Sequence, residues 1–200
     1  MQICDIDKKD GKMDIWVYAY TDSDDIRYSA LYQYSKGKIK RIWNLTEDYN
    51  SDNKAYARRC GFIVDTDGKG NFTIAIDRTV NNGFLTGNHI DRVKFNLKRG
   101  KVTQVTKHTY YFYKAYNLAG GKGKWFITKR QMVFYKDHNT VGGNVTVKKG
   151  SKCVPKKMYV TSDNHVYVMY KFADGKKLWL CSEDYNDFDN LPFKNMGFAD

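Results

Sequence analysis

This chain has little proline, few leucines and alanines, and no long apolar run. Two prolines in 200 residues exclude a Pro-rich linker or spacer. Scarcity of Leu and Ala removes strong helix formers. No run approaches the ~20 apolar residues that a helix needs to cross a bilayer. The four cysteines, Cys4, Cys60, Cys153 and Cys181, show no CxxC spacing and no nearby histidine pair, which argues against a zinc site. Two readings of them stay open: disulfides joining Cys4 to Cys60 and Cys153 to Cys181, or buried thiols acting as small hydrophobes. Nor does Met1-Gln2-Ile3-Cys4 begin a basic and apolar signal segment. Either the protein is cytoplasmic, or the chain is a trimmed piece of an exported one. A start barely one strand before the first turn favours the second.

What is abundant points to strands. Aromatic residues make up 16% of the chain, with 16 tyrosines, and Tyr, Val, Ile, Phe and Thr suit a pleated, half-buried surface. The net charge is +12. It divides into +7 over residues 1–123 (21 basic, 14 acidic) and +5 over 124–200 (13 basic, 8 acidic). This describes a generally cationic surface, suited to nucleic acid, anionic lipid or phosphate-bearing wall polymers. Lysines that keep an edge-rich β protein soluble would leave the same signature.

The order of elements occurs twice. Asp5-Ile6-Asp7-Lys8-Lys9-Asp10-Gly11 and Asp65-Thr66-Asp67-Gly68-Lys69-Gly70 are acidic turns, each opening a strand-like run, Asp14–Tyr20 and Asn71–Ile76. Downstream of each comes a basic hairpin, around Lys36-Gly37 and Arg99-Gly100; the offset is 60 residues at the acidic turns and 63 at the basic ones. Such a period predicts one β-meander unit used twice. Strands are expected at 28–34, 38–45, 62–65, 72–77, 91–97, 101–108 and 110–116. Residues 47–59 are open to either a helix or a loop. Two repeats cannot close a propeller, so the region must pair its sheets or pack on the C-terminal part of the chain.

Gly120-Gly121-Lys122-Gly123 is the clearest break in composition and is the expected domain boundary. The predicted organisation is all-β: residues 1–118 as the repeated four-stranded β-meander (repeats about 1–60 and 61–118), then 124–200 as a small barrel with a C-terminal tail. Strands are expected there at 125–128, 132–135, 145–147, 152–159, 165–172 and 177–181.

Alternate carboxylates in a tight turn can wrap a hard cation such as Ca²⁺. In the first turn the candidate ligands are Asp5, Asp7, Asp10 and Asp14; Asp and Gly as plain hairpin formers are the other explanation. The spacing resembles the calcium loops of FG-GAP and related integrin-type repeats, with one lysine more at Lys8-Lys9. The same stretch, with Tyr32-Gln33-Tyr34-Ser35-Lys36-Gly37-Lys38 after it, resembles secreted or envelope proteins of Gram-positive gut anaerobes.

A second resemblance lies near the C-terminus. Met132-Val133-Phe134-Tyr135, Val145-Thr146-Val147-Lys148-Lys149-Gly150 and Tyr167-Val168-Met169-Tyr170 are followed by Lys177-Leu178-Trp179-Leu180. Over roughly 124–188 this resembles bacterial SH3-like (SH3b) domains, with a leucine where the family has the glycine before the Trp. The resemblance implies non-catalytic binding of peptide or cell-wall fragments, outside the cell or in its envelope. Tyr135, His138, Tyr159 and Trp179 are the candidate ligand-binding residues, since flat aromatic faces with polar edges suit peptide or sugar stacking. Trp179 as plain barrel core is the alternative.

Catalysis is not expected. Cys60, His89 and Asp91 supply suitable residue types, but Cys60-Gly61-Phe62 lacks the helix-start setting that activates a thiol. Gly120–Gly123 lacks the strand-to-helix context of a phosphate loop. The expected partner is a cell-wall polymer or peptide, or a host-derived ligand. Two alternatives are single-stranded nucleic acid along Lys107–Tyr116, and an accessory role to a wall hydrolase whose catalytic domain lies elsewhere.

Overall fold

A computed structural model describes residues 1–20, 26–47, 61–78, 89–105, 108–115, 125–161, 165–185 and 188–194. The protein is an all-β chain of antiparallel strands, as the composition predicts. It divides into two compact units, Met1–Arg78 with Asp91–Lys107, and Thr79–Ile90 with His108–Asp200.

The first unit contains both repeats as four-stranded meanders. β1 (Gln2–Cys4), β2 (Met13–Tyr20), β3 (Ile26–Ser35) and β4 (Lys38–Asn44) form one sheet in sequence order. β5 (Gly61–Thr66), β6 (Asn71–Arg78) and β7 (His89–Lys98) follow in order, with β8 (Lys101–Gln104) paired to β7. The two sheets pack face to face. Trp43 of β4 packs at 4.9 Å from Phe95 and 6.3 Å from Phe72 across the sheets, and 5.9 Å from Trp16 on its own. A buried indole or hydroxyl needs a partner: Trp16 Nε1 and Ser29 Oγ both donate to the Gly61 carbonyl at the start of β5. The two acidic turns lie side by side, Lys8 N–H donating to the Gly68 carbonyl and Gly70 N–H to that of Ile6.

The second unit is a sheet in the order β12-β11-β15-β14-β13-β9, with β10 also on β13. Its strands are β9 (Thr109–Ala115), β10 (Phe126–Ile127), β11 (Met132–Tyr135), β12 (Asn144–Val147), β13 (Lys152–Val160), β14 (Val166–Phe172) and β15 (Lys177–Cys181). Buried Phe126, Phe134, Tyr170, Leu180 and Phe193 build its core. Pro155 sits where a missing N–H costs least: β13 pairs β10 through Lys152 and Cys153 and β9 from Lys157 onward, with a bulge between.

Several expectations need adjusting. The strand expected at 110–116 as the end of the first region is observed as β9, which pairs with β13 and falls in the second compact unit. β8 stops at Gln104 rather than reaching His108, whose backbone is left-handed with φ 65. The expected C-terminal tail is partly sheet: Phe193 bridges Thr128, with Lys194 N–H donating to Ile127 and Lys129 N–H to Pro192. The described strands form no closed barrel. Cys153 and Cys181 are separate buried thiols, not a disulfide; Cys4 is likewise a buried thiol. Residues 48–60 and 116–124, including Cys60 and the Gly120–Gly123 break, lie outside the described residues.

Candidate functional site

Two features of the sequence reach the structure as side-chain clusters: the acidic turns of the first unit and the aromatic residues of the second.

In the first turn the four aspartates do not converge as one set. Asp5 is exposed. Asp7 Oδ1 accepts from Lys9 N–H, and Asp10 Oδ1 from Lys12 N–H. Asp14 is fully buried; its Oδ2 accepts from Ile6 N–H at 3.0 Å. The Gln33 amide then bridges Asp10 and Asp14, donating at 3.2 and 3.0 Å, while the Lys12 ammonium sits 3.4 Å from Asp10. Desolvation raises the Asp14 pKa above the ordinary aspartate value, against the lowering effect of those hydrogen bonds. This arrangement does not fit a calcium ion, because N–H donors stand where a cation would need open carboxylate oxygens. Among the described residues no three His, Cys, Asp or Glu side chains are grouped to hold a metal.

The second turn uses the same chemistry in the open. Asp67 accepts from the Lys69 and Asn71 backbones and from the Asn71 amide, and Asn96 donates to Asn71 Oδ1 at 2.8 Å. The Asn71 hydrogen bond is the main reason that the Asp67 carboxyl titrates below the ordinary value. Both turns are therefore tied by side-chain amides.

The four aromatic positions of the second unit do come together. Tyr135 pairs directly with Trp179 across β11 and β15. The register then continues from Trp179 to Met169, Lys157 and Tyr111, one residue on each successive strand. The next rung carries Cys181, Tyr167, Tyr159 and Thr109. Side chains two apart share a face, so these rungs lie on the side of the sheet opposite Leu178, Leu180, Val168 and Tyr170. Trp179 therefore lies on the opposite side of the sheet from those residues, and at 7% exposure it is buried, as the core alternative expects. Its cover is local: His138, from the loop after β11, lies 5.3 Å from its ring and 3.9 Å from that of Tyr159. The Lys157 ammonium sits 5.2 Å from the same indole, a cation–π distance. Asp137 folds that loop, accepting from Gly142 N–H.

The electrostatics of this face are mixed. Burial, with Cys181 beside it, pushes the Tyr167 phenol up to about 12. Burial and then Asp184 raise Tyr135. Both phenols stay neutral donors at neutral pH. Glu183, ion-paired with His165, and Asp184 form an acidic margin, opposite in sign to Lys157.

The sequence reading named Tyr135, His138, Tyr159 and Trp179 but missed Lys157, Met169, Tyr167 and Tyr111 of the same rungs. The bulge at Pro155–Lys157 was the obstacle, because it shifts which residues of β13 share a side. Of the residue types considered for catalysis, Asp91 is buried; Cys60 and the side chain of His89 lie outside the described residues. The described thiols are poorly placed as nucleophiles: desolvation, with Asp14 nearby, pushes Cys4 up to about 12, and burial raises Cys153 and Cys181. Comparison of the chain with protein-family models, curated proteins and solved structures finds no match.

Proposed function

We propose that this is a non-catalytic binding protein of the cell exterior or envelope, which holds a cell-wall peptide or glycan on the aromatic face of its second unit. One observation carries the reading: Tyr135, Tyr159, Tyr167 and Trp179 occupy two adjacent rungs of one sheet face, with His138 and Lys157 over the indole. Aromatic rings turned away from a protein's own core offer stacking surface to a flat or ring-shaped ligand. A lysine on one side and two carboxylates on the other suit ligands carrying both charges, such as wall peptides with free amino and carboxyl groups. The resemblance of residues 124–188 to SH3-like domains, whose role is of this kind, supports the reading. Burial and raised pKa values make Cys4, Cys153 and Cys181 poor nucleophiles.

The test is retention of the whole protein on purified Gram-positive cell walls, with and without teichoic acid, over a salt series. Retention that survives high salt and removal of the teichoic acid is expected, with at least a tenfold loss (~1.4 kcal/mol) for Tyr159→Ala. Retention abolished by modest salt would reduce the interaction to net charge. Preferential, salt-sensitive capture of RNA would favour the nucleic-acid alternative.

A further inference from the structure

Apolar side chains that a sheet leaves together in water call for an explanation. On the first sheet, the face turned away from the sandwich core carries two adjacent rungs. The pairing register gives them as Ile3–Ile15–Tyr32–Arg41 and Met13–Tyr34–Ile39. Ile3 and Ile39 are each 65% exposed, Met13 44% and Tyr34 41%. They are neighbours on one surface, not scattered residues.

The internal repeat sharpens the observation. Lys36-Gly37 and Arg99-Gly100 are equivalent two-residue turns, with φ of 50 and 75 in one and 53 and 74 in the other. The rung behind them is Tyr34–Ile39 in the first hairpin and Leu97–Val102 in the second. Leu97 is 4% exposed and belongs to the core. The same rung thus faces inward in one repeat and outward in the other.

The hairpin that carries Tyr34 and Ile39 is basic. Residues 26–46 contain no Asp or Glu, and exposed Lys36, Lys38 and Lys40 have no ion-pair partner among the described residues. Arg41 pairs with Glu47 at 3.5 Å. A second copy seated here about a twofold axis would set lysines against lysines. A hydrated wall polymer offers nothing to Ile3, Met13 and Ile39. A flat sheet face has no pocket to read a particular side chain, which disfavours an acidic protein.

We propose that this face is a peripheral docking surface for an anionic lipid bilayer. Tyr34 and Ile39 at the hairpin tip enter the headgroup layer, and Lys36, Lys38 and Lys40 meet lipid phosphates. Aliphatic area combined with basic charge is what holds a protein at such an interface, and tyrosine suits that depth.

The experiment is co-sedimentation of the full chain with vesicles of equal parts phosphatidylcholine and phosphatidylglycerol, against vesicles of phosphatidylcholine alone. Binding to the mixed vesicles only is expected, weakening with salt. Ile39→Ser and Tyr34→Ser leave the charge unchanged and should each lower the partition coefficient about tenfold. Lys38→Ala should lower it about fivefold. Neutralising Lys98 and Lys101, on the hairpin whose rung is buried, should cost less than neutralising Lys36 and Lys38. The altered side chains are solvent-exposed, and an unchanged melting temperature verifies that each variant is folded. Equal partition of the serine variants and the parent would overturn the proposal, as would equal binding to neutral vesicles. Capture by immobilised polyglutamate without vesicle binding would assign the face to an acidic protein instead. Wall retention of the same variants is read in parallel, so failure here is distinguishable from failure of the aromatic site.

Discussion

At Asp14, burial and hydrogen bonding act in opposite directions, and burial is the larger effect. A carboxyl whose pKa is raised by folding binds its proton more tightly in the native state than in the unfolded one. The stability it contributes is therefore greatest at low pH, falls as pH climbs from the ordinary aspartate value towards the raised one, and stays at the lower level above. Asp14→Asn removes this titration. Relative to the variant, the parent protein should lose melting temperature as pH rises through the carboxylate range; a constant difference would show that Asp14 does not titrate abnormally. His138 supplies a second test. Its ring lies on Trp179 and Tyr159, so His138→Ala should shift tryptophan emission to longer wavelength and increase acrylamide quenching. Trp16, buried in the other unit, should contribute equally in both proteins. Unchanged emission would mean that the loop does not cover the indole. The sequence named His138, Tyr159 and Trp179 together through the resemblance, but not their stacking, because which aromatic ring a loop histidine meets depends on where the loop folds back.

At the scale of elements, period-two patterns identified nearly every described strand, since alternating apolar and polar residues are what a half-buried strand requires. β15 is the instructive exception. Leu178, Trp179, Leu180 and Cys181 are all buried, because the core covers one side and the His138 loop shields part of the other, so sequence alone could not separate core from site. The acidic turns were legible as turns, but not their different tolerances. Gly11 has a left-handed φ of 66 with nothing near an added Cβ, whereas Gly70 has φ 99 and an added Cβ would stand 2.6 Å from the Leu97 carbonyl oxygen. Gly11→Ala should cost about 1 kcal/mol, and Gly70→Ala about 3 kcal/mol, as it must also displace backbone. Urea unfolding of both variants measures this; equal costs would contradict the close approach of Gly70 to Leu97 of β7.

For the whole molecule, the cysteines give the sharpest check. Cys4, Cys153 and Cys181 are buried thiols, with pKa values raised by burial, and buried thiols react only when the structure opens. A thiol-specific disulfide reagent should label at most one cysteine rapidly in the native protein and all four in denaturant. Rapid native labelling of Cys153 or Cys181 would contradict the packing of the second unit. β9 joins the second unit through its ladder to β13, a partner some 50 residues further along the chain.

The amino-acid order by itself determined the all-β class, the two-fold use of one meander and the places of the turns. These are local properties: strand period, turn chemistry and repeat spacing act over a few residues each. Only the tertiary structure decided which face of each strand meets the core. The equivalent rung behind the turn carries Leu97 inward in one repeat and its counterpart Tyr34 outward in the other, and a bulge at Pro155 sets Lys157 and Tyr159 on the same side as Trp179. Facing is settled by the packing of distant strands, since side chains alternate sides at every residue and one step of register exchanges them all.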